Sequence, residues 1–457
     1  MQSEWREVRL GDHCIKIGSG ATPKGGKESY LDTGPYSLIR SQNVYNDGFS
    51  WQGLAYISDE QAKKLDGVAV ERNDVLVNIT GDSVARVCNA PSAVLPARVN
   101  QHVAIVRPRP ESFDSDYLRW YLCLPEQQEK LLGLASAGAT RNALTKAMLE
   151  NLRIPQPPID VQKSIAALPV AISQRIELLL QTNATLESIA QALFKSWFID
   201  FDPVRAKAEG REPEGLDAET AALFPDTFED SAFGQIPKGW TGNPFGELLS
   251  FAIGGDWGAE GPTDTCTQPA TIIRGTDIPD MLAGQFDGVP RRFVSPKKSE
   301  KRSLQDGDLV IEISGGSATQ PTGRSLYVTK YMLAKLGVVA VPTSFCRLFR
   351  AADAHTALLL SQHLTAIYQA GKMWNYQVQS TGLANFQTQH FLGSEIVVVP
   401  PSHVRKAFFD IVRPLIDRAS SAPIAELQAL RDALLPRLIS GKLRLSEAEA
   451  QLNEALA

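Results

Sequence analysis

The sequence predicts a mixed α+β fold built as an internal repeat, in which two mixed α/β globules are each followed by a long helical segment. Five segments recur in the same order in the two halves of the 457-residue chain, which is typical of a duplicated unit. Short β-branched runs bounded by Gly, Asn and Asp predict the strands of each globule. Apolar residues at helical spacing after each globule predict the helices.

The repeated segments are weak in identity but keep one order along the chain. Each half opens with a Trp that is followed six residues later by Gly, at Trp5 and Trp240, and continues into "IKIGSG" or "SFAIGGDWG". Regions 112–133 and 353–374 are expected to be helical, and each half closes on an apolar strand and Pro-Pro. The other matched segments are 36–44 with 270–278, 73–81 with 307–315, 100–108 with 343–351, and 136–158 with 380–402.

Two apolar stripes follow the globules. The first recurs at sevens, at Ile165, Ile172, Leu179, Leu186 and Leu193, with Leu168 and Ile189 at intermediate positions. The second, from Phe408 to Ile439, runs in threes and fours and is interrupted by Pro414 and Pro423. Core packing within one domain would give such stripes too, but their equivalent places favour two long helices in an antiparallel coiled coil. The first helix is expected to run from after Pro169 to Phe198.

These features divide the chain into six predicted regions. They are a first globule at 1–158, a helical spacer region at 159–202, a linker rich in Pro, Gly, Asp and Glu at 203–236, a second globule at 237–401, a second helical spacer region at 402–447 and a tail at 448–457.

Composition narrows the class of protein. The five cysteines lie singly with no C-x-x-C pair, which favours a reducing cytoplasm over a disulfide framework or a zinc module. We expect no signal peptide, because the start MQSEWREVRLGDH has no apolar core, and no membrane span, because no run approaches about 18 apolar residues. The net charge of −5 predicts no strong overall attraction to nucleic acid, although local basic faces can still bind it.

The motifs of several enzyme classes are missing. In "GSGATPKGGKES" (18–29) Lys27 precedes Glu28, whereas a phosphate-binding loop needs Lys directly before a hydroxyl residue. The Pro-Pro sites QPPI and VPPS lack the aromatic residue that a base methyltransferase stacks on a flipped adenine. The histidines show no H-E-x-x-H spacing, and the Asp308 and Glu312 pair shows no basic neighbour in sequence. The sequence therefore predicts a binding protein with no catalytic or metal-ligating residues.

Two stretches carry a family resemblance. "ALFKSWFIDFDPVRAK" (192–207) and "LQALRDALLPRLISGKLRL" (427–445) resemble the helical signature regions of type I restriction–modification specificity subunits. The order of globule, helix, globule and helix matches that family over essentially the whole chain.

The resemblance implies a non-catalytic subunit with two target-recognition domains, each reading one half of a split site in double-stranded DNA. It implies that the helices space these domains and dock two methyltransferase subunits. The complex would carry out N6-adenine methylation and, with restriction/translocase subunits, ATP-dependent restriction in the cytoplasm of a bacterium or archaeon. S-adenosylmethionine, ATP and Mg²⁺ are expected on the partner subunits and no cofactor on this chain. An orphan specificity protein, or an interaction scaffold of the same architecture that does not bind DNA, is the alternative.

Candidate DNA-binding residues follow from the loop chemistry of each half. Arg, Asn and Gln recognise base edges, whereas Ser, Thr, Lys and glycine-rich turns position phosphates. The segment 18–29 is similar to a Gly/Thr-Pro segment near the start of many recognition domains. The second half lacks Thr-Pro-Lys there, so the two copies should recognise different bases and the site should be asymmetric. The candidates are Thr22, Lys24, Lys27, Arg40, Gln42, Asn43, Asn78, Arg86, Gln101, His102, Thr140, Arg141 and Asn142, and then Arg274, Thr276, Ser317, Gln320, Arg324, Gln379, Ser380 and Asn385.

A second candidate surface is apolar. Three aromatic residues in "ALFKSWF" exceed what one narrow helical seam needs, so part of this patch is expected to face a partner subunit. The bland alternative is an amphipathic core helix. The candidate partner-binding residues are Phe194, Trp197, Phe198, Leu434, Leu435 and Leu438.

Overall fold

The computed structural model describes residues 5–23, 25–136, 142–317, 319–380, 383–445, 447–448 and 450–451, without the side chains of Lys27, Gln379, Ser380 and Leu383. The chain divides into two compact units. Unit 1 comprises Met1–Ile176 and Glu426–Ala457, and unit 2 comprises Glu177–Ala425. Each unit therefore combines one globule with parts of both helical regions.

The elements of the first globule alternate short strands with short helices. The strands are β1 (Glu7–Arg9), β2 (Cys14–Ser19), β3 (Tyr36–Ile39), β4 (Val44–Tyr45), β5 (Gly48–Phe49), β6 (Ala55–Ile57), β7 (Ala69–Val70), β8 (Val75–Asn78), β9 (Val87–Asn89), β10 (Ala97–Val99), β11 (Val103–Pro108) and β12 (Arg153–Pro155). The helices are α1 (Asp59–Lys64), α2 (Ser115–Leu122), α3 (Pro125–Ser136) and α4 (Lys146–Glu150).

The long helix α5 (Ile159–Phe198) follows, and the segment after it contains α6 (Asp202–Ala208), α7 (Ala218–Ala222), β13 (Phe228–Ser231) and β14 (Gly234–Pro237). The strands of the second globule are β15 (Thr241–Pro244), β16 (Leu249–Gly254), β17 (Gln268–Ile273), β18 (Arg291–Val294), β19 (Leu309–Glu312), β20 (Ser314–Gly315), β21 (Ser325–Tyr327), β22 (Val339–Pro342), β23 (Cys346–Ala351), β24 (Gln377–Ser380), β25 (Leu383–Phe386) and β26 (Ile396–Val399). The remaining helices are α8 (Ile278–Leu282), α9 (Pro296–Arg302), α10 (Lys330–Leu336), α11 (Ala354–Gln369), α12 (Thr388–Ser394), α13 (Ser402–Ser420) and α14 (Ile424–Ile439).

The two globules share one sheet plan, which confirms the internal repeat. An antiparallel sheet has the order β2-β11-β8-β9 in the first globule and β16-β23-β19-β21 in the second. Beside it, β3 pairs in parallel with β10 and β17 pairs in parallel with β22. The opening strand also pairs with the strand before Pro-Pro in each copy, as β1 with β12 and β15 with β26. These antiparallel pairs join the start and the end of each globule.

The helices predicted inside the globules are present and are capped by side chains. Asp114 accepts a hydrogen bond from the Tyr117 backbone N–H at 3.0 Å at the start of α2. Asp353 does the same for Thr356 at 2.9 Å at the start of α11. An N-cap carboxylate satisfies a backbone donor that the first helical turn leaves open. These caps explain why both helices begin where they do.

The expected start of the first long helix is wrong. Helix α5 begins at Ile159 and runs without interruption past Pro169 for 40 residues, which is about 60 Å at 1.5 Å per residue. In the second helical region Pro414 lies inside α13, and the break falls between α13 and α14. Packing of an apolar face supplies most of a helix's stability in proteins, so a single proline does not have to end one.

The predicted heptad is followed for only part of its length. Leu168 and the first three heptad positions are buried, whereas Leu186 and Leu193 are half-buried and Ile189 is 44% exposed. Beyond Leu179 the buried stripe moves to Ala190, Phe194 and Trp197. A straight helix drifts by roughly 20° per heptad relative to a 3.5-residue repeat, so a stripe of sevens leaves the buried face.

Within each unit the helices of the two helical regions run antiparallel. In unit 2 the Asn183 side-chain amide donates to the Ala419 carbonyl at 3.2 Å, while Trp197, further along α5, packs on Phe408, earlier in α13, with ring centroids 5.8 Å apart. In unit 1 the Arg431 guanidinium contacts the Ser173 hydroxyl at 3.4 Å. There Ile165, earlier in α5, and Leu438, later in α14, line one cavity. In each unit, residues later in α5 contact residues earlier in the partner helix, which confirms the antiparallel arrangement.

The aromatic patch of "ALFKSWF" is core, so the expectation that it faces a partner is wrong. Phe194 and Trp197 are each 1% exposed and Phe198 is 4% exposed. Their rings pack against Phe408 and Trp240 of the same unit. The candidate leucines of α14, Leu434, Leu435 and Leu438, are buried as well. An α/β globule and a returning helix both press on this end of α5, and together they need the extra aromatic area that the sequence shows.

In the part of the chain that the structure describes, no helix has the length and apolar character needed to cross a membrane.

Candidate nucleic-acid interface

The same turn follows the parallel strand of each globule, and side chains hold it from within. In the first globule the Asn43 side chain accepts from the Arg40 backbone N–H at 3.0 Å and donates to the Ser50 carbonyl at 2.9 Å. In the second globule Asp277 accepts from the Arg274 backbone N–H at 2.8 Å. Asn43 has no exposed surface. This candidate therefore stabilises the loop, and its side chain does not face the solvent.

The end of the central strand supports the turn in both copies. At the end of β8, the Asn78 side-chain amide donates to the Ser41 carbonyl at 2.8 Å. At the end of β19, Glu312 lies against Gly275, where an added Cβ would come 2.4 Å from the Glu312 Oε1. Both strand-end side chains are buried. Asn78, like Asn43, is thus corrected from an exposed candidate to a buried support of the turn.

In each globule an arginine lies opposite this strand-end residue, on the neighbouring segment of the sheet. The Asn78 backbone N–H donates to the Arg86 carbonyl at 2.9 Å, and the Glu312 N–H donates to the Arg324 carbonyl at 2.9 Å. The two guanidinium groups are held differently. That of Arg86 lies over the Tyr45 ring at 4.5 Å, whereas that of Arg324 makes two hydrogen bonds to Glu312, at 3.0 and 2.7 Å.

Glycine lets the segments after β2 and β16 pass close to a neighbouring strand. The Gly20 N–H donates to the Asn100 carbonyl at 3.1 Å, and an added Cβ there would lie 1.7 Å from the Val99 oxygen. At Gly255 an added Cβ would lie 2.0 Å from the Pro342 oxygen. Both approaches exclude any side chain. Gly20 therefore lets the 18–29 segment lie against the end of β10.

A chain of polar side chains connects the loops of the first globule. The Thr22 hydroxyl bonds to Gln101, Gln101 contacts His102 at 2.9 Å, and His102 in turn bonds to Thr80. The Gly81 N–H beyond Thr80 donates to the Asn142 carbonyl at 3.3 Å. Four predicted residues of the first globule are thereby brought together: Thr22, Gln101, His102 and Asn142.

Two more predicted residues of the first globule lie on a neighbouring loop. The side chains of Arg40 and Gln42 both donate to the Gly53 carbonyl. Arg40 also lies over the Tyr30 ring, at 5.2 Å. Lys24, Thr140 and Arg141 lie outside the described residues, as do the side chains of Lys27, Gln379 and Ser380.

The predicted residues of the second globule gather around one cavity of about 520 Å³. Arg274, Thr276, Gln320 and Arg324 all line it. Exposed Ser317 lies close by, since its N–H donates to the Gln320 carbonyl at 2.8 Å. A second cavity of about 640 Å³ contains exposed Asn385 and shares Ser314, Ser344 and Phe345 with the first.

Exposed aromatic residues at these loops were missed from the sequence. Trp257 and Phe345 line the first cavity and are 38% and 60% exposed. In the first globule Trp51 is 50% exposed and packs edge-on against Phe49 at 5.1 Å. Large exposed rings suit base or sugar contacts. For Trp257 the signal was its place directly after the glycine turn in "IGGDWG".

The carboxylates that loosely resemble a nuclease pair are neutralised. The Asp308 carboxylate receives two hydrogen bonds of 2.7 Å from Arg350 of β23, so the basic partner missing in sequence comes from the adjacent strand. Asp74 and Arg107 form the same pair in the first globule. The described residues contain no group of three or more His, Cys, Asp or Glu side chains that could hold a metal ion.

Burial also raises the pKa of the Cys88 thiol to about 12, which leaves it protonated and unreactive.

Comparison with known proteins finds similarity to specificity subunits of type I restriction enzymes. Residues 2–188 match the family model of the type I restriction modification DNA specificity domain. The chain is 25% identical to the type I restriction enzyme MjaIX specificity subunit of Methanocaldococcus jannaschii over 452 residues, which cover 97% of this chain and 94% of that protein. It is 30% identical to the HindI specificity subunit of Haemophilus influenzae over 224 residues, which cover 48% and 46%. The solved type I restriction–modification S subunit of M. genitalium has the same fold, with a TM-score of 0.56 at 14% identity over 96% of each chain.

The chain thus carries two copies of one loop framework, each in a unit that also contains an antiparallel helix pair. Residues 2–188 thus resemble the type I restriction modification DNA specificity domain, and nearly the whole chain is similar to a named specificity subunit.

Proposed function

We propose that this chain is the sequence-specific DNA-binding subunit of a type I restriction–modification complex, and that each globule recognises one half of an asymmetric, bipartite site. The observation that carries the proposal is the repetition of one loop framework with different side chains at equivalent positions. In the turn after the parallel strand, exposed Gln42 of the first globule stands where exposed Thr276 stands in the second. Equivalent positions with different donors and acceptors select different bases.

The proposed interface consists of the loop side chains that surround this framework. Arginine and glutamine side chains supply base contacts, and hydroxyl and lysine side chains supply phosphate contacts. Asn43 and Asn78 are left out because they are buried. The proposed residues are Thr22, Arg40, Gln42, Arg86, Gln101, His102, Asn142, Arg274, Thr276, Ser317, Gln320, Arg324 and Asn385, together with Lys24, Lys27, Thr140, Arg141, Gln379 and Ser380.

The chemistry belongs to the partners in this proposal. Two methyltransferase subunits would use S-adenosylmethionine to methylate adenine N6, and restriction/translocase subunits would use ATP and Mg²⁺. This chain would only recognise the DNA sequence, and the complex would act in the cytoplasm. The relationship to named specificity subunits supports this division of labour.

The helices set the spacing of the site in this proposal. Helix α5 is about 60 Å long, and one turn of B-DNA covers about 34–36 Å. We propose a site of two short blocks separated by unread base pairs, with one methylated adenine per strand about ten base pairs apart. Inserting seven residues into 170–190 and seven into 412–435 should lengthen the gap and leave both blocks unchanged. Altered blocks with an unaltered gap would contradict the spacing proposal.

The function is tested by methylome sequencing of the host with and without this chain. The expected result is N6-methyladenine at a bipartite motif that disappears when the chain is removed and returns when it is restored. Identical methylation in both strains would refute the proposal.

A further inference from the structure

The 520 Å³ cavity of the second globule is built around a buried carboxylate. Glu312 is 2% exposed. Gly275 and Gly315 approach it so closely that an added Cβ at either position would lie 2.4 Å from the Glu312 Oε1. Both glycines line the cavity with Glu312. The two glycines thus leave space for the Glu312 carboxylate and for a side chain bound to it.

The Glu312 carboxylate forms an ion pair with one edge of the Arg324 guanidinium. The Arg324 Nε donates to the Glu312 Oε2 at 3.0 Å, and Nη2 donates to Oε1 at 2.7 Å. These two bonds use the side edge of the guanidinium. The end edge carries one proton of Nη1 and the second proton of Nη2, which are two parallel donors in a fixed plane. Among the described residues, this end edge has no hydrogen-bond partner.

A second polar group in the cavity also lacks a partner. Thr343 lines the cavity and has no exposed surface, and its hydroxyl makes no hydrogen bond within the described part of the chain. A buried hydroxyl without a partner costs about 1–3 kcal/mol. A ligand with polar edges would remove that cost by bonding to it.

The charge of the site indicates which ligand fits. Glu312 offsets the charge of Arg324, so the cavity offers directed donors without a net positive charge there. A phosphate would meet the buried carboxylate as a like charge. A guanine edge is neutral and presents O6 and N7 as two acceptors that match a guanidinium edge.

The first globule lacks this arrangement. Asn78 stands where Glu312 stands, and Arg86 lies over the Tyr45 ring with no carboxylate clamp in the described structure. The fixed edge is therefore a property of the second globule alone.

We propose that Arg324, positioned by Glu312, recognises a guanine in the second block of the target site through the end edge of its guanidinium. This inference rests on the proposed DNA-binding function and adds the base class that one side chain selects. Arg324 is the contacting residue, and Glu312 is a positioning residue.

The test uses the complete chain in its complex with methyltransferase subunits, and duplexes that carry its methylome motif. Each guanine of the second block is replaced in turn by 7-deazaguanine, which lacks the N7 acceptor. For the unmodified protein, one replacement should weaken binding about 5- to 150-fold, the range expected for one bidentate base contact. In Arg324→Lys, which keeps the charge but loses the planar fork, that replacement should have a smaller effect than in the unmodified protein.

Two further variants separate positioning from folding. Glu312→Gln should relax base preference at the same position as Arg324→Lys and at no other position, in a selection from randomised duplexes. Arg211→Lys is the matched control, because Arg211 also pairs with a glutamate but lies exposed in the segment between α6 and α7. It should leave every preference unchanged.

The outcomes distinguish this inference from the function on which it rests. If the unmodified complex selects no sequence, the DNA-specificity function itself fails. If it selects a site but no second-block guanine needs N7, the guanine assignment is overturned. Uniform weakening of all duplexes by Arg324→Lys, with a smaller salt slope, would make Arg324 a phosphate contact and also overturn it.

Discussion

A buried carboxylate in the second globule gives a prediction whose size can be worked out. Glu395 has no exposed surface and accepts hydrogen bonds from His363 at 2.8 Å, from Lys372 at 2.9 Å and from the Tyr376 hydroxyl. It lies between α12 and β26, and α12 carries His390 of the 640 Å³ cavity. Replacing Glu395 by Gln should therefore loosen the base of this cavity.

The magnitude follows from the balance of forces on the carboxylate. Burial by itself raises the pKa of Glu395, but the hydrogen bonds from His363, Lys372 and Tyr376 outweigh it and lower the pKa from 4.5 to about 2. A difference of this size corresponds to about 3 kcal/mol of stability at neutral pH. Lys372 is 44% exposed, so its share is screened, and Gln can still accept from Tyr376. We expect Glu395→Gln to lower the free energy of unfolding of unit 2 by about 2–3 kcal/mol.

The pH dependence of the effect has a definite sign. Because the folded-state pKa of Glu395 lies below its unfolded value, its stabilisation is present above about pH 4.5 and is lost as the pH falls towards 2. The difference between wild type and Glu395→Gln should therefore be largest near pH 7 and shrink in acid.

The assay is urea unfolding of the complete chain at pH 7 and pH 4, with hydrogen–deuterium exchange of α11 and α12 to assign the change to unit 2. Glu300→Gln, at an exposed position of α9, is the matched control and should be neutral. If Glu395→Gln unfolds within about 0.5 kcal/mol of wild type at pH 7, or if the difference grows in acid, the reasoning is wrong.

Three further substitutions test the framework. Gly20→Ala should impair recognition of the first block and destabilise unit 1, because the new Cβ would lie 1.7 Å from a backbone oxygen of β10; Gly18→Ala has open space and should leave thermal unfolding and block preference unchanged. Trp197→Ala should cost unit 2 about 3–5 kcal/mol in urea unfolding, whereas Ile199→Ala, 47% exposed, should cost little; a Trp197→Ala protein of normal stability would argue that the ring is not core. Arg86→Lys should alter methylation at the first block only, and a change at the second block would contradict independent recognition by the two globules.

The duplication could be predicted from the sequence because it is recorded in local patterns. A strand followed by a glycine turn, such as "IKIGSG" or "SFAIGG", keeps its period-two and turn signals in both copies whatever the surface side chains do. The same holds for the helices that begin after Asp114 and Asp353, whose caps lie within three residues of the backbone groups that they satisfy. Local signals of this kind predicted the strands, the helices within the globules and the repeat.

The sequence did not reveal which polar residues are buried. Asn43 and Asn78 look like the exposed amides that recognise bases, but the structure uses them to hold the turn after β3. Arg324 was predicted as a DNA contact, but its ion pair with Glu312 was not predicted. The pairing of β19 with β21 brings Glu312, at the end of β19, next to Arg324, which directly precedes β21. Such partners lie far along the chain or are set by strand pairing, which composition and spacing do not record.

The sequence by itself determined that the chain repeats a globule followed by a helix, because this order follows from short-range periodicity and turn chemistry. The likeness of its two helical stretches to specificity-subunit signatures is a separate resemblance in sequence. Tertiary structure alone decided that α5 continues through Pro169, that the rings of "ALFKSWF" form core, and that four polar residues of the second globule surround one cavity. The physical reason is that burial depends on what other elements press against a residue, and those elements come from distant parts of the chain.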